Sequence, residues 1–379
     1  MRSEKSPKEQ RLFAIFSEVN SSPQLLAIIL EAKRSGLLVS VLVFCQEGNS
    51  LLENLLRHGI FAQQVKPRRK FHSGRLFITV GRNILRRRPD IVFTSGIYAN
   101  VVGLTISYIL RIDRRIFIRH HSNYHSRSGN HFGTVVDRLC NFLATEIVAV
   151  SKLVQRILVE VEQVPKAKVC LIHNGIDLSL FKLNNRIQTT IFDARLNGEF
   201  RIGLVSRITS LKGIEYAASA FAKLHKEFPF AKFTVVGKFA DAFIEVKKIL
   251  NELPVSSYQL LESVPSIPKF LSELDVFVHV PIGPEDESFG LVYLEALAMN
   301  VNCIFTISGV LNELPDLEKY VSIVDYKSSD GIYKCLYNLI SYEVGPNPSV
   351  PDVWLNQFDL EKMAKSYGQL FISQKKLNE

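Results

Sequence analysis

Nowhere in the 379 residues is there an uninterrupted apolar run of the roughly 18 to 20 that a membrane-spanning helix needs. The most apolar run, Val101 to Leu110, is too short and contains Thr105 and Ser107. The charged segment MRSEKSPKEQR is followed by only LFAIF, too little for the core of a signal peptide. The chain is therefore expected to stay where it is made, in the cytoplasm. Cysteine is sparse: Cys45, Cys140, Cys170, Cys303 and Cys335 are dispersed and form no CxxC pair. That spacing speaks against a zinc site or a disulfide framework and suits buried thiols in a reducing compartment. Glycine is missing from the loop after the first candidate strand, Ser17-Glu18-Val19-Asn20-Ser21-Ser22-Pro23. Without the GxGxxG turn that lets a backbone approach a pyrophosphate, a nicotinamide oxidoreductase is not expected.

Apolar residues make up 47% of the chain and charged residues 22%, the balance of a globular protein long enough for two cores. The net charge of +9 is uneven: residues 1–170 hold 26 Lys+Arg against 12 Asp+Glu, the remainder 20 against 25. Dense points are Lys66-Pro67-Arg68-Arg69-Lys70, Arg86-Arg87-Arg88 and Arg111 to Arg115. Such a half can meet an anionic membrane surface or a phosphorylated acceptor, or be a solvated surface with no partner. Nucleic acid is not expected as a partner, because no recognition module accompanies the charge.

Short apolar strands alternate with helical stretches. Leu12–Phe16, Val39–Phe44, Ile91–Thr94, Ile116–Arg119 and Ile147–Val150 read as buried strands, with helices at Gln24–Arg34, Leu51–His58, Arg75–Arg87 and Thr134–Leu143. The pattern restarts after the polar stretch Leu183 to Phe200. Strands then fall at Arg201–Val205, Lys232–Val236, Ser257–Leu261, Val276–Val280 and Cys303–Thr306, with helices at Ile214–Lys226, Ala242–Asn251, Ile267–Leu274 and Gly290–Met299. This grammar predicts two α/β, doubly wound, Rossmann-like domains with parallel sheets. Gly345-Pro346-Asn347-Pro348 is a breaker, and Asp359–Ile372 carries an apolar helical stripe through Leu360, Met363, Ala364, Tyr367, Leu370 and Phe371. The expected division is 1–180 joined by 351–379, and 181–350. Facing domains would form a cleft, lined by loops at the carboxyl ends of the strands.

The segment richest in chemistry is Glu285-Asp286-Glu287-Ser288-Phe289-Gly290-Leu291-Val292-Tyr293-Leu294-Glu295. A glycine opening a helix leaves the first-turn amides clear, and these with the helix dipole favour a phosphate. Glu295 lies about five residues inside the helix, roughly 7 Å along its axis. A sugar at Glu287, a diphosphate at the amides and a ribose at Glu295 would fit that separation, since each carboxylate accepts hydroxyl hydrogen bonds. Alone, two glutamates eight apart equally describe a solvated helix face. Gly203-Leu204-Val205-Ser206-Arg207-Ile208-Thr209-Ser210-Leu211-Lys212-Gly213 adds two cations on a strand-to-helix loop, a planar fork and a point charge that can converge on one diphosphate.

Strand, acidic loop, Phe-Gly-Leu and helix in this order resemble the EX7E signature of retaining GT-B glycosyltransferases, the large group that includes sucrose synthase and mannosyltransferases. The Arg207 to Gly213 loop resembles that group's "GRL…KG" element, with Ser206 where glycine is usual. His173-Asn174-Gly175-Ile176-Asp177 with Phe181 resembles its "NGvD…F" junction; here a hinge is the plainer reading, with an Asx-type bond from Asp177. Asp275–Pro281, Gly309-Val310-Leu311-Asn312-Glu313 and Phe358 to Tyr367 match a strand, a loop and the last helix of the group. The likeness spans about residues 90 to 372. Before residue 90 it is weakest, and Ser95 stands where the group often has histidine.

The resemblance implies a GT-B fold of two Rossmann-like domains facing across a cleft, the last helix crossing back to the first domain. It implies a retaining, metal-independent sugar transfer from a nucleotide-sugar donor to a glycan or lipid-linked acceptor, in polysaccharide or lipopolysaccharide synthesis. Arg207 and Lys212 would hold the diphosphate, Glu287 the sugar and Glu295 the ribose, and His120 (or His121) would line the sugar pocket. Phe289, Gly290, Leu291, Val292, Asn174 and Gly237 would complete the donor side. No cofactor is expected beyond the nucleotide sugar. His125 and His131 lack an evident partner for a metal, and the fold has no equivalent of a DxD motif. A nucleotide-sugar epimerase on the same fold and an inactive GT-B scaffold are the alternatives.

Overall fold

All strand pairings among the described residues are parallel. Runs such as LFAIF and IVFT, apolar on both faces, require cover on both sides. The computed structural model describes residues 9–66, 73–122, 130–182, 198–341 and 348–373. The basic run 67–70, His125 and most of the polar and breaker segments, 183–197 and 342–347, lie outside them. The chain divides into two units, Met1–Gly175 with Leu360–Glu379, and Ile176–Asp359.

The first unit contains β1 (Arg11–Ser17), α1 (Pro23–Arg34), β2 (Leu38–Phe44), α2 (Ser50–Arg57), β3 (Phe61–Val65), α3 (Ser73–Arg87), β4 (Ile91–Ser95), α4 (Ile97–Ile109), β5 (Arg114–Arg119), α5 (His131–Leu143), β6 (Glu146–Ala149), α6 (Lys152–Arg156) and β7 (Val169–Leu171). The second contains α7 (Leu178–Lys182), β8 (Phe200–Val205), α8 (Ile214–Glu227), β9 (Ala231–Val236), α9 (Phe243–Leu250), β10 (Tyr258–Leu261), α10 (Ile267–Ser272), β11 (Val276–His279), α11 (Leu291–Ala298), β12 (Asn302–Phe305), β13 (Ser322–Ile323), α12 (Ser329–Ser341) and α13 (Asp352–Asn356). The last helix, α14 (Leu360–Ile372), returns to the first unit. The sheets run β3-β2-β1-β4-β5-β6-β7 and β10-β9-β8-β11-β12-β13. This is the architecture of a GT-B chain, α/β with two doubly wound parallel sheets.

Local chemistry sets several helix starts. Pro23 occupies the first turn of α1 while Ser22 accepts from the Leu25 amide; Asn49 caps α2 and Asn130 caps α5 in the same way. Eight elements escape the sequence pattern: β3, β7, β13, α4, α6, α7, α12 and α13. β3, β7 and β13 are short and lie at sheet edges, where few positions are buried. Val101 to Ile109 of the most apolar run lie in α4, which packs on β1, β4, β5, α3 and α5. Its exposed positions, Tyr98, Tyr108 and Ile109, are as apolar as its buried ones, so it has no polar face and no period to read.

In the first unit α14 lies against α1, with Tyr367 and Phe371 packed edge-on to Phe93 of β4. Arg114 ties the helix end down: it donates from Nη1 to the Phe371 carbonyl (2.6 Å) and from Nη2 to the Leu370 carbonyl (2.7 Å), while Nε donates to Glu146 (2.9 Å). Arg115 donates to the Leu143 carbonyl at the end of α5. These members of the basic cluster at 111–115 therefore close helix ends. Arg114→Met leaves the Glu146 carboxylate buried without its cation, and is expected to destabilise this unit by about 3 kcal/mol, read as an earlier first transition in thermal unfolding.

Candidate functional site

In the second sheet the strand order reverses between β8 and β11, so the connections leaving these neighbours diverge and leave a crevice at their carboxyl ends. Ser206 to Gly213 leaves one strand and Val280 to Gly290 the other. Lys212 ends a single 3-10 turn, and its Nζ donates to Glu287 Oε2 (2.8 Å) and to the Asp286 carbonyl (3.0 Å). Glu287 Oε2 also accepts from His279 Nε2 (3.1 Å), the last residue of β11. The Glu287 backbone is held too, its amide donating to Ser308 Oγ (3.0 Å), which donates to the Pro284 carbonyl. Two of the residues expected to act on one substrate are thus in direct contact.

Gly290 precedes α11 as its N-cap, with φ 84°, so the helix starts at Leu291, one residue later than the pattern suggested. A Cβ there would come within 2.4 Å of the Tyr293 ring and 2.8 Å of Glu287 Cγ. Only glycine lets the loop turn into the helix so close to the carboxylate. No side chain caps α11, so its first-turn amides keep their donor capacity. Behind the turn, His279, Tyr293 and Phe305 pack edge to face, and Tyr293 and Phe305 are fully buried.

The electrostatics follow from this packing. Burial opposes charge on Glu287, but the His279 hydrogen bond and the Lys212 charge outweigh it and bring the carboxyl down to about 2. Burial lowers the His279 pKa despite the hydrogen bond to Glu287, so a neutral imidazole donates from Nε2. Glu295 differs: burial alone raises it to about 7, and among the described residues no donor meets its carboxylate. One glutamate is charged and held, the other desolvated and unheld.

Other expected residues scatter more widely. Arg207 lies on the Lys212 loop with its side chain exposed; its charge contributes, after the Ser210 hydrogen bond, to lowering the Asp241 pKa. Gly237 follows β9, and a Cβ on it would fall 1.9 Å from the Ser206 carbonyl, so it sets the close approach of two loops. Phe289 is buried against Phe358, a packing residue, whereas Leu291 and Val292 are half-buried at the helix start. Asn174 and Gly175 belong to the first unit, where Gly175 accepts from Gln24 Nε2 (2.9 Å); the Asx-type bond of Asp177 runs from the Ser179 amide (3.1 Å). In the first unit His120 Nε2 meets Ser95 Oγ (2.9 Å) at the carboxyl ends of β5 and β4. His121 instead contacts Asp137 (3.3 Å). Among the described residues no three His, Cys, Asp or Glu cluster as a metal site would require.

His279 and Ser308 are additions to the site that sequence reading missed. The one available signal was a lone polar side chain in an otherwise apolar buried strand, VFVH. Glu295 yields a pH prediction. Its pKa is raised in the fold, so the stability it allows is present below the ordinary carboxyl value and is lost as pH climbs through about 7. Glu295→Gln should melt with the parent at pH 4.5 and about 3 °C or more above it at pH 8.5 by calorimetry. Equal melting at both pH values would show that burial does not disfavour the charge.

Comparison with known proteins bears on the same segments. The family model described as Glycosyltransferase Family 4 matches residues 26–180, and that of Glycosyl transferases group 1 matches residues 199–341. The capsular polysaccharide biosynthesis glycosyltransferase CapM of Staphylococcus aureus is 24% identical over 243 residues, 60% of this chain and 61% of that protein. Among solved structures, Anabaena Alr3699/HepE in complex with UDP and glucose superposes with a TM-score of 0.76 at 19% identity, covering 96% of this chain and all of that one. UDP-GlcNAc 2-epimerase of Neisseria meningitidis, bound to UDP-GlcNAc, aligns less well, with a TM-score of 0.60 at 15% identity over 96% of this chain and all of that one. With one model on each unit and this fold throughout, the chain belongs to the group 1 glycosyltransferases of GT-B architecture.

Proposed function

We propose that this protein transfers a sugar from a nucleoside-diphosphate sugar to a glycan or lipid-linked acceptor, with retention at the anomeric carbon, in the assembly of a polysaccharide or lipopolysaccharide. The observation that carries this reading is the Lys212–Glu287 pair beside the uncapped start of α11. Glu287 Oε2 is taken by Lys212 and His279, which leaves Oε1 for a sugar hydroxyl. Lys212 spends two of its three protons on Glu287 and Asp286, and the third can meet a phosphate oxygen. The amides of Leu291 and Val292 and the exposed Arg207 complete the diphosphate cradle, and Glu295 accepts ribose hydroxyls.

In the reaction the bond between the anomeric carbon and the diphosphate oxygen breaks, and the acceptor oxygen bonds to that carbon on the same face. The acceptor proton passes to the departing phosphate. Charge growing on the leaving oxygen is stabilised by Arg207, Lys212 and the helix amides, with no metal required for that task. The CapM likeness favours a polysaccharide product, and the uridine nucleotides of the HepE complexes make UDP-sugars the first donors to try.

The test is incubation with UDP-sugars and candidate acceptors, followed by NMR of the product. An axial donor should give an axial linkage; an inverted linkage, or a donor epimerised without transfer, would overturn the reading. Because Arg207 is exposed, Arg207→Ala should fold normally yet lose about 100-fold or more in kcat. Undiminished turnover in that variant would remove Arg207 from the leaving-group site.

A further inference from the structure

The helices of the first unit form two layers that differ in charge. α1, α2 and α14 pack together on one side of the sheet, and α3, α4 and α5 follow one another on the other. The first layer carries exposed carboxylates, Glu53 and Glu361. The second has one carboxylate in all three helices, Asp137, and that one is buried against Arg119. On its outer surface Phe132 is 78% exposed and Phe142 66%, and with Val135 and Leu139 they form a single helical stripe. α3 adds Ile78 and Leu85, exposed and spaced on the same period as Arg75 and Arg82. Arg86 and Arg138 are also exposed, and among the described residues no carboxylate pairs with any of these four arginines.

We propose that the outer face of the α3–α4–α5 layer docks on an anionic lipid bilayer. Exposed phenylalanine and leucine would enter the headgroup boundary while the arginines bind lipid phosphates, the division of labour of an interfacial amphipathic surface. Charge selects this occupant over a second copy of the chain. A two-fold interface would set this arginine-bearing face against itself with no exposed carboxylate to pair. Nucleic acid would use the arginines but gain little from the apolar stripe. The inference is independent of the proposed transfer reaction, since it concerns binding alone.

The test is co-sedimentation of the full chain with vesicles of phosphatidylcholine containing about a third phosphatidylglycerol, against phosphatidylcholine alone. Binding should favour the anionic vesicles at least tenfold and weaken as salt rises. The triple variant Arg82→Gln, Arg86→Gln, Arg138→Gln should lose on the order of 100-fold, at roughly fivefold per cation near such a surface. Phe132→Ser with Phe142→Ser should weaken binding at every salt concentration. Arg57→Gln with Lys365→Gln, on the opposite layer, should bind as the parent does; melting curves confirm that each variant is folded. Equal binding to both vesicles, binding to neither, or an equal loss in the opposite-layer control overturns the proposal. So does a dimer in sedimentation that the serine variants dissolve without any vesicle binding, or DNA binding that those variants leave intact.

Discussion

The carboxylate of Glu287, buried yet charged, is the constraint around which the second unit is arranged. Moving such a group out of water costs several kcal/mol unless it is paired and hydrogen-bonded. Lys212 and His279 meet that cost on one oxygen, Ser308 holds the backbone, and Gly290 lets the chain turn without striking the carboxylate. Each partner comes from a different element: the loop after β8, the end of β11 and the loop after β12. The sheet order brings them together, because the reversal between β8 and β11 opens the place where the loops converge.

The two glutamates of α11 and its approach show how environment divides identical side chains. Glu287 gains partners and is driven to about 2; Glu295 gains only desolvation and rises to about 7. A fixed anion can orient a hydroxyl-bearing ligand. A carboxyl near neutrality, without a partner, is left ready to form hydrogen bonds that the protein itself does not supply. The first unit has its own switch point, between β1 and β4, but there Glu18 Oε2 accepts from the Ile97 amide and Ser17 Oγ from the Ala99 amide at the start of α4. Those first-turn amides are already met by the protein's own side chains. Of the helix starts at the two switch points, the one at α11 is left without a side-chain cap.

Charge in the first unit is sorted just as sharply. Arg114 and Arg115 belong to one basic run in the sequence, yet they, like Arg119, lie inside the fold, on helix carbonyls and on Glu146, Asp137 and Glu162. Arg75, Arg82 and Arg86 of α3 and Arg138 of α5 remain outside. A count of charges cannot make this distinction, since it depends on which side chains find buried partners.

Local signals determined much of this protein. Alternating apolar strands and helices specified two doubly wound domains, and the Arg207–Lys212 loop and the Glu287–Glu295 spacing singled out two segments of the second, whose proposed chemistry rests on their family resemblance and not on spacing. These were legible because strand burial, helix period and loop composition act over a few residues. Edge strands β3, β7 and β13 were not, because their burial depends on neighbours distant in the chain, nor was α4, whose exposed residues are apolar like its buried ones. Tertiary structure alone decided that Lys212 and Glu287 touch, that His279 completes the pair, and that one helical layer presents arginine and phenylalanine without an exposed acid. Those outcomes rest on long-range contacts between elements, and no local pattern of residues encodes a distance across a sheet.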